Sequence, residues 1–187
     1  MIGTLLFSTV LGASQTSAAN VIIPRPTHFE SREGAFAIRT SRQPTKVFYN
    51  PGLKGEARQL AKALGGLRAI ESDRSSPVAG SVLLALDAED DELGSEGYTL
   101  RITGQSVKVS ANSAGGVFRG VQSLKQMLPY KETRHQSLQA VYVRDFPRFE
   151  WRGMHLDVGR HMYDIEDIKQ YIDTLASFKM NVFHWHL

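Results

Sequence analysis

The fold turns on residues 146–187, FPRFEWRGMHLDVGRHMYDIEDIKQYIDTLASFKMNVFHWHL. Residues 151–158 and 181–187 each alternate in the manner of a β-strand. Between them Ile165, Ile168, Ile172, Leu175 and Phe178 recur on one helical face, which predicts a helix over 165–178. Asp164 stands where an N-cap belongs, and Glu166 and Asp167 suit the positive end of the helix dipole. The stretch therefore reads as one β–α–β unit, whose crossover is right-handed in nearly all proteins.

Strand alternation also sorts the side chains. Met154, Leu156 and Val158 share one face of the first strand, with His155 and Asp157 on the other; Phe183, Trp185 and Leu187 oppose His184 and His186 in the second. The apolar faces are expected to meet covering helices, and the polar faces to line the inside of a barrel. A full (β/α)8 barrel takes about 250 residues, whereas 146–187 supplies 42, so the chain reads as truncated within a sheet. Buried polar groups pair, which predicts an Asp157–His184 or Asp157–His186 hydrogen bond, structural or functional. His184 and His186 also point the same way and suit zinc, but the sequence identifies no third or fourth ligand. Arg160, directly after Gly159, falls at the C-terminal rim where barrel enzymes build their sites. Its planar fork of donors fits substrate oxygens; a rim salt bridge with Asp164 or another carboxylate is the competing reading. His28 and His135 lie in loop-like contexts and read as surface residues.

Upstream, VIIPRP at 21–26 reads as an edge strand, since Pro24 and Pro26 cannot donate to a ladder. Short β runs follow at 35–39 and 46–49. Ala57, Leu60, Ala61 and Leu64 mark a helix over 56–67, stopped by Gly65-Gly66. Residues 81–86 form a continuous apolar strand, and 98–102 and 107–111 flank a hairpin turn. A second helix is expected over 113–128, capped by Asn112 or Ser113. Gly115, Gly116 and Gly120 each weaken it by about 1 kcal/mol relative to alanine, so their use should be close approach to the sheet. With a last strand at 139–144, residues 20–145 read as an α+β domain, both helices on one face of the sheet. The fold class is thus α+β: a small sheet-plus-helices domain followed by the first β–α–β unit of a truncated barrel.

Composition narrows the function. The chain of 187 residues is 42% hydrophobic and 22% charged, an ordinary globular mixture. A net charge of +3, scattered, gives no nucleic-acid footprint. The acidic run Asp87, Glu89, Asp90, Asp91, Glu92 and Glu96 reads as a solvated loop. Without cysteine there are no disulfides, thiolate metal sites or cysteine nucleophile. The apolar stretch 2–13, followed by Ser17, Ala18 and Ala19, reads as the core of a signal peptide over 1–19, although no Lys or Arg precedes it. That predicts a secreted or periplasmic protein. No later segment reaches the roughly 20 apolar residues a membrane span needs.

RG–x–x–LD–x–x–RH at 152–161 and KMNVFHWHL at 179–187 closely resemble the start of the catalytic barrel of family 20 glycoside hydrolases, the β-N-acetylhexosaminidases. VIIPRP and EGYTLRIT…ANSAGGVFRGVQSLKQMLP resemble the smaller domain that precedes that barrel. The resemblance implies hydrolysis of terminal β-linked N-acetylglucosamine or N-acetylgalactosamine in a glycan or glycoconjugate, with no metal or organic cofactor. In that family the substrate's acetamido oxygen attacks the anomeric carbon, an Asp orients the acetamide and a neighbouring Glu protonates the leaving oxygen, an exception to the two-carboxylate scheme. Carried over residue by residue, Arg160 matches the arginine that binds hydroxyls of the terminal sugar. Asp157, His161, His184 and His186 match motif positions that support the site. The family's catalytic Asp-Glu pair has no counterpart in this sequence, so the chain is expected to be inactive alone. A metal-dependent barrel hydrolase using His184 and His186, or a non-catalytic carbohydrate-binding module, remains the alternative.

Overall fold

The computed structural model describes residues 21–129 and 136–187; the leader at 1–19 and His135 lie outside them. Seven strands, β1 (His28–Ile38), β2 (Lys46–Tyr49), β3 (Ala69–Glu71), β4 (Ser81–Ala85), β5 (Tyr98–Ile102), β6 (Ser106–Ala111) and β7 (Gln136–Asp145), form one sheet. Its order is β1-β7-β5-β6-β4-β2-β3. The β3-β2-β4-β6 half is parallel and the β6-β5-β7-β1 half antiparallel. β4, the continuous apolar run, is buried at every position, as a central strand in a parallel ladder requires. Thr103 Oγ1 closes the β5–β6 hairpin by accepting from the backbone N–H groups of Gln105 and Ser106, at 3.2 and 3.1 Å.

Helices α1 (Lys54–Ala63) and α2 (Ala114–Gln126) pack beside each other on one face of the sheet, as their apolar stripes predict. Leu53, Ala57, Leu60 and Leu64 share a buried core with Val117, Val121 and Leu124. Gln122 donates to Gln59 across the two helices at 2.9 Å. Ser113 caps α2, its Oγ accepting from the Gly116 N–H at 3.3 Å. Gly120 is a true close approach: a Cβ there would lie 2.5 Å from Val109 Cγ1 and 3.0 Å from the Tyr98 ring.

Several expectations need correction. Residues 21–26 are irregular, not a strand; two prolines keep them out of the ladder. Gln126 holds them by accepting from the Ile23 N–H at 2.7 Å and donating to its carbonyl at 2.9 Å. β1 starts seven residues earlier than read, so His28 lies in a strand, still exposed, beside the Tyr142 ring. A register irregularity between Ser31 and Ala35 breaks the alternation that would have revealed it. The three-residue β3 was not foreseen.

The last part of the chain folds as β8 (Gly153–Asp157), α3 (Ile165–Ser177) and β9 (Val182–His186), with β8 and β9 parallel. Asp164 sits at the N-cap of α3 without making a side-chain cap hydrogen bond. Of the predicted stripe, Ile168 and Leu175 are buried while Ile165, Ile172 and Phe178 stay 40–59% exposed. The cover over α3 is therefore incomplete, reaching Ile168 and Leu175 but not Ile172 between them.

Candidate functional site

The β8–α3–β9 unit is positioned by charge. Lys179 follows the end of α3 with φ 62°, the left-handed place where glycine is usual. The Lys179 N–H bonds to Ala176 O and the Met180 N–H to Leu175 O, each at 3.0 Å, closing the helix in a Schellman motif. Its side chain runs into the first domain and donates to Asp145 Oδ2 at 2.8 Å and to Tyr98 Oη at 3.0 Å. Tyr98 Oη also meets Ser123 Oγ at 2.5 Å, and Asp145 Oδ1 accepts from the Thr27 N–H at 3.1 Å. Burial pushes the Lys179 ammonium below its ordinary range against the pull of Asp145, while burial and the Asp145 charge lift the Tyr98 phenol well above its own.

A second clamp corrects part of the reading of the acidic run as a solvated loop. Glu96 accepts from Arg152 and Asn181 of the second unit and faces Arg119 of α2 at 3.5 Å. Burial raises its carboxyl pKa, but the hydrogen bonds from Arg152 and Asn181 and the two nearby guanidinium charges together hold it below the usual range. Arg144 bridges Asp90 and Glu92, at 2.7 and 2.6 Å, and Lys108 pairs with Asp87 at 2.7 Å. Four members of the run, Asp87, Asp90, Glu92 and Glu96, thus form an ion-pair seam, while Glu89 and Asp91 stay exposed.

Because β8 and β9 are parallel, their C-terminal ends form one rim. The Gly159 N–H donates to Asp157 Oδ1 at 3.0 Å, and Arg160 Nε lies 3.3 Å from Asp157 Oδ2. Arg160 pairs with Asp157, not Asp164, and its side chain is 91% exposed, fork outward. His161 lies further along the same loop, its ring edge-on to Tyr163 at 5.1 Å. The expected Asp157–histidine hydrogen bond is absent among the described residues; the Asp157 oxygens are turned to the rim instead.

His184 and His186 do share a face, and the register adds a third imidazole that sequence reasoning left out: His155 stands directly opposite His184. The two rings are 4.7 Å apart, and His155 and His186 are 5.9 Å apart. The signal was present, because alternation puts His155 on the polar face; what was lacking was the strand register. Lys179 was also missed, its only trace being a lysine where a helix stop favours glycine.

A mixed seven-stranded sheet under two helices, tied by buried charge to a parallel β–α–β unit with a polar rim, defines a two-part α+β protein. The chain belongs to glycosyl hydrolase family 20: the profile of "Glycosyl hydrolase family 20, domain 2" matches residues 19–146, and that of "Glycosyl hydrolase family 20, catalytic domain" matches residues 149–187. It is 34% identical over 168 residues to a beta-N-acetylhexosaminidase of Cellulomonas fimi, covering 89% of this chain and 34% of that protein. A beta-hexosaminidase of Porphyromonas gingivalis is 37% identical over 145 residues, covering 71% of this chain and 18% of that one. Among solved structures, the GH20 beta-N-acetylhexosaminidase of Streptomyces coelicolor A3(2) superposes with a TM-score of 0.75 at 29% identity, over 89% of this chain and 34% of that one. An exo beta-N-acetylglucosaminidase of Vibrio harveyi, in complex with N-acetylglucosamine, superposes with a TM-score of 0.73 at 26% identity, over 90% and 25%. The chain thus spans about a third or less of these relatives. No described helix is long and apolar enough to cross a membrane.

Proposed function

We propose that this chain is the N-terminal part of a β-N-acetylhexosaminidase that removes terminal β-linked N-acetylhexosamine by a substrate-assisted, retaining reaction. In this reading residues 1–19 are a secretion signal that sends the protein out of the cytoplasm, 20–145 are the supporting domain, and 146–187 open a (β/α)8 barrel. The observation that carries it is the exposed Arg160 fork, oriented by Asp157 at the rim of β8, within a chain whose two parts both match family 20. Arg160 would hold hydroxyls of the terminal sugar through charge-assisted hydrogen bonds. Asp157 fixes its direction, and His161, His184 and His186 support the pocket. Attack by the acetamido oxygen and proton donation to the leaving group need the family's Asp-Glu pair, which we place in the part of the relatives that this chain does not span.

The 187-residue chain should then release no chromophore from a chromogenic β-N-acetylglucosaminide, and the same chain extended through the remaining barrel should. General acid catalysis and electrostatic stabilisation are removed together in the shorter chain. Turnover by the 187-residue chain, blocked by a competitive N-acetylhexosamine analogue, would overturn the reading.

A further inference from the structure

His155, His184 and His186 are the one group of three His, Asp or Glu side chains among the described residues that is spaced for a metal ion. Each offers a ring nitrogen lying within 4.8 Å of the other two. In a tetrahedral zinc site, with Zn–N near 2.0–2.1 Å, ligand nitrogens stand about 3.4 Å apart. The difference is within reach of side-chain rotation, since all three residues are exposed in the 187-residue chain. The backbone is already set: two ligands come from i and i+2 of β9, and the third from the partnered position on β8. Strands hold such vectors more firmly than loops do. Asp157, next along the same face, adds negative charge nearby while its oxygens stay with Gly159 and Arg160.

We propose that His155, His184 and His186 bind one zinc-class divalent ion, with three imidazole ligands and a fourth position left for water. The all-nitrogen donor set selects zinc, cobalt, nickel or copper over magnesium and calcium. The ion staples β8 to β9 across their polar face, and like any ligand of the native state it stabilises the fold by mass action. The proposal rests on β8–β9 geometry alone; it shares His184 and His186 with the proposed sugar pocket, so its test reads metal binding and not turnover.

The test uses the 187-residue chain with cobalt(II) as a visible probe. One equivalent should give the intense visible bands of a four-coordinate site, be displaced by one equivalent of zinc, and be unaffected by excess magnesium. Losing an outer-shell partner already weakens metal sites about 10–100-fold, so His155→Gln, His184→Gln and His186→Gln should each weaken binding by about a hundredfold or more. His28→Gln should bind as the unaltered chain does. Paramagnetic broadening in the unaltered chain should centre on these three histidines, which locates the ion even if a variant misfolds. Absence of the bands, broadening centred elsewhere, or binding that survives in a folded His155→Gln variant would overturn the proposal.

Discussion

The first domain and the β8–α3–β9 unit are held together by different forces. In the first, Leu60, Val82, Leu100, Val109 and Val121 are fully buried in one continuous core, and burial of apolar surface dominates. In residues 146–187 only Val158, Ile168 and Leu175 are buried hydrophobics, and ten of the fourteen exposed large hydrophobic residues among the described residues lie there. What fixes the second unit is polar: Lys179 on Asp145 and Tyr98, and Arg152 and Asn181 on Glu96. A stretch with so small a core takes its place from its neighbour. Such a unit should open locally at a free energy well below global unfolding.

The strongest test of that contrast is Lys179→Met. Removing one partner of a buried pair strands the other charge, at about 3–5 kcal/mol. Urea denaturation should show a loss of that size, and hydrogen exchange should show α3 and β9 losing protection before β4–β6. Lys179→Gly separates the contributions. It relieves a left-handed residue worth about 1–2 kcal/mol, yet still leaves Asp145 without its cation, so it too should destabilise. A loss below about 1 kcal/mol in both variants would mean that the second unit does not depend on this ion pair.

The same contrast decides what was legible in the sequence. The continuous apolar run of β4, the stripes of α1 and α2 and the β5–β6 hairpin follow from local periodicity and turn chemistry, and each appears where expected with ends moved by a few residues. β1 was half missed because its charged ESRE segment and register irregularity hide the alternation. At the rim, the position of Arg160 after Gly159 followed from order along the strand, and its partner Asp157 from neither motif nor period. The ion-pair seam and the third histidine depend on register and on contacts between residues such as Glu96 and Arg152, 56 positions apart. No local pattern encodes those: the third histidine appears only when β8 and β9 pair, and the Glu96 contacts only when the two units meet.

Glu96→Gln should give the next largest effect. It keeps the shape and one acceptor but removes a charge facing Arg152 and Arg119, and hydrogen bonds to charged groups are worth about 1.5–3 kcal/mol. The pH dependence gives an independent check. The Glu96 pKa is lowered in the fold, so its contribution is complete above the ordinary glutamate range and is lost as pH falls through the depressed native value. The original chain should therefore lose stability on acidification more steeply than Glu96→Gln. Parallel stability–pH curves would remove Glu96 as a clamp.

Gly120→Ala probes the other region, where packing rules. Helix propensity alone favours alanine by about 1 kcal/mol. The added methyl, however, would meet Val109 Cγ1 at 2.5 Å and the Tyr98 ring at 3.0 Å. Overpacking of this kind costs about 1–3 kcal/mol, so the net expectation is a loss of about 1 kcal/mol, seen as a lower urea midpoint with an unchanged slope. A stabilised variant would show that α2 can lift from the sheet.

Arg160→Lys should have the smallest effect on stability and separates the rim from both clamps. The side chain is 91% exposed and its one ion pair, to Asp157, spans 3.3 Å, so solvent screens most of the attraction. Exposed pairs of this kind contribute about 0–1 kcal/mol, and lysine retains the charge; the midpoint for the 187-residue chain should hardly move. Function should respond differently. If Arg160 grips sugar hydroxyls, as the proposed function has it, lysine at this position in the chain extended through the remaining barrel loses the planar fork, and one charge-assisted hydrogen bond of about 1.5–3 kcal/mol corresponds to a fall in kcat/KM of about 10–100-fold. The rim-salt-bridge reading makes the opposite forecast, a measurable loss of stability with kinetics intact. Unchanged kcat/KM in that extended variant would take Arg160 out of the substrate site and leave it as the outer half of a surface pair.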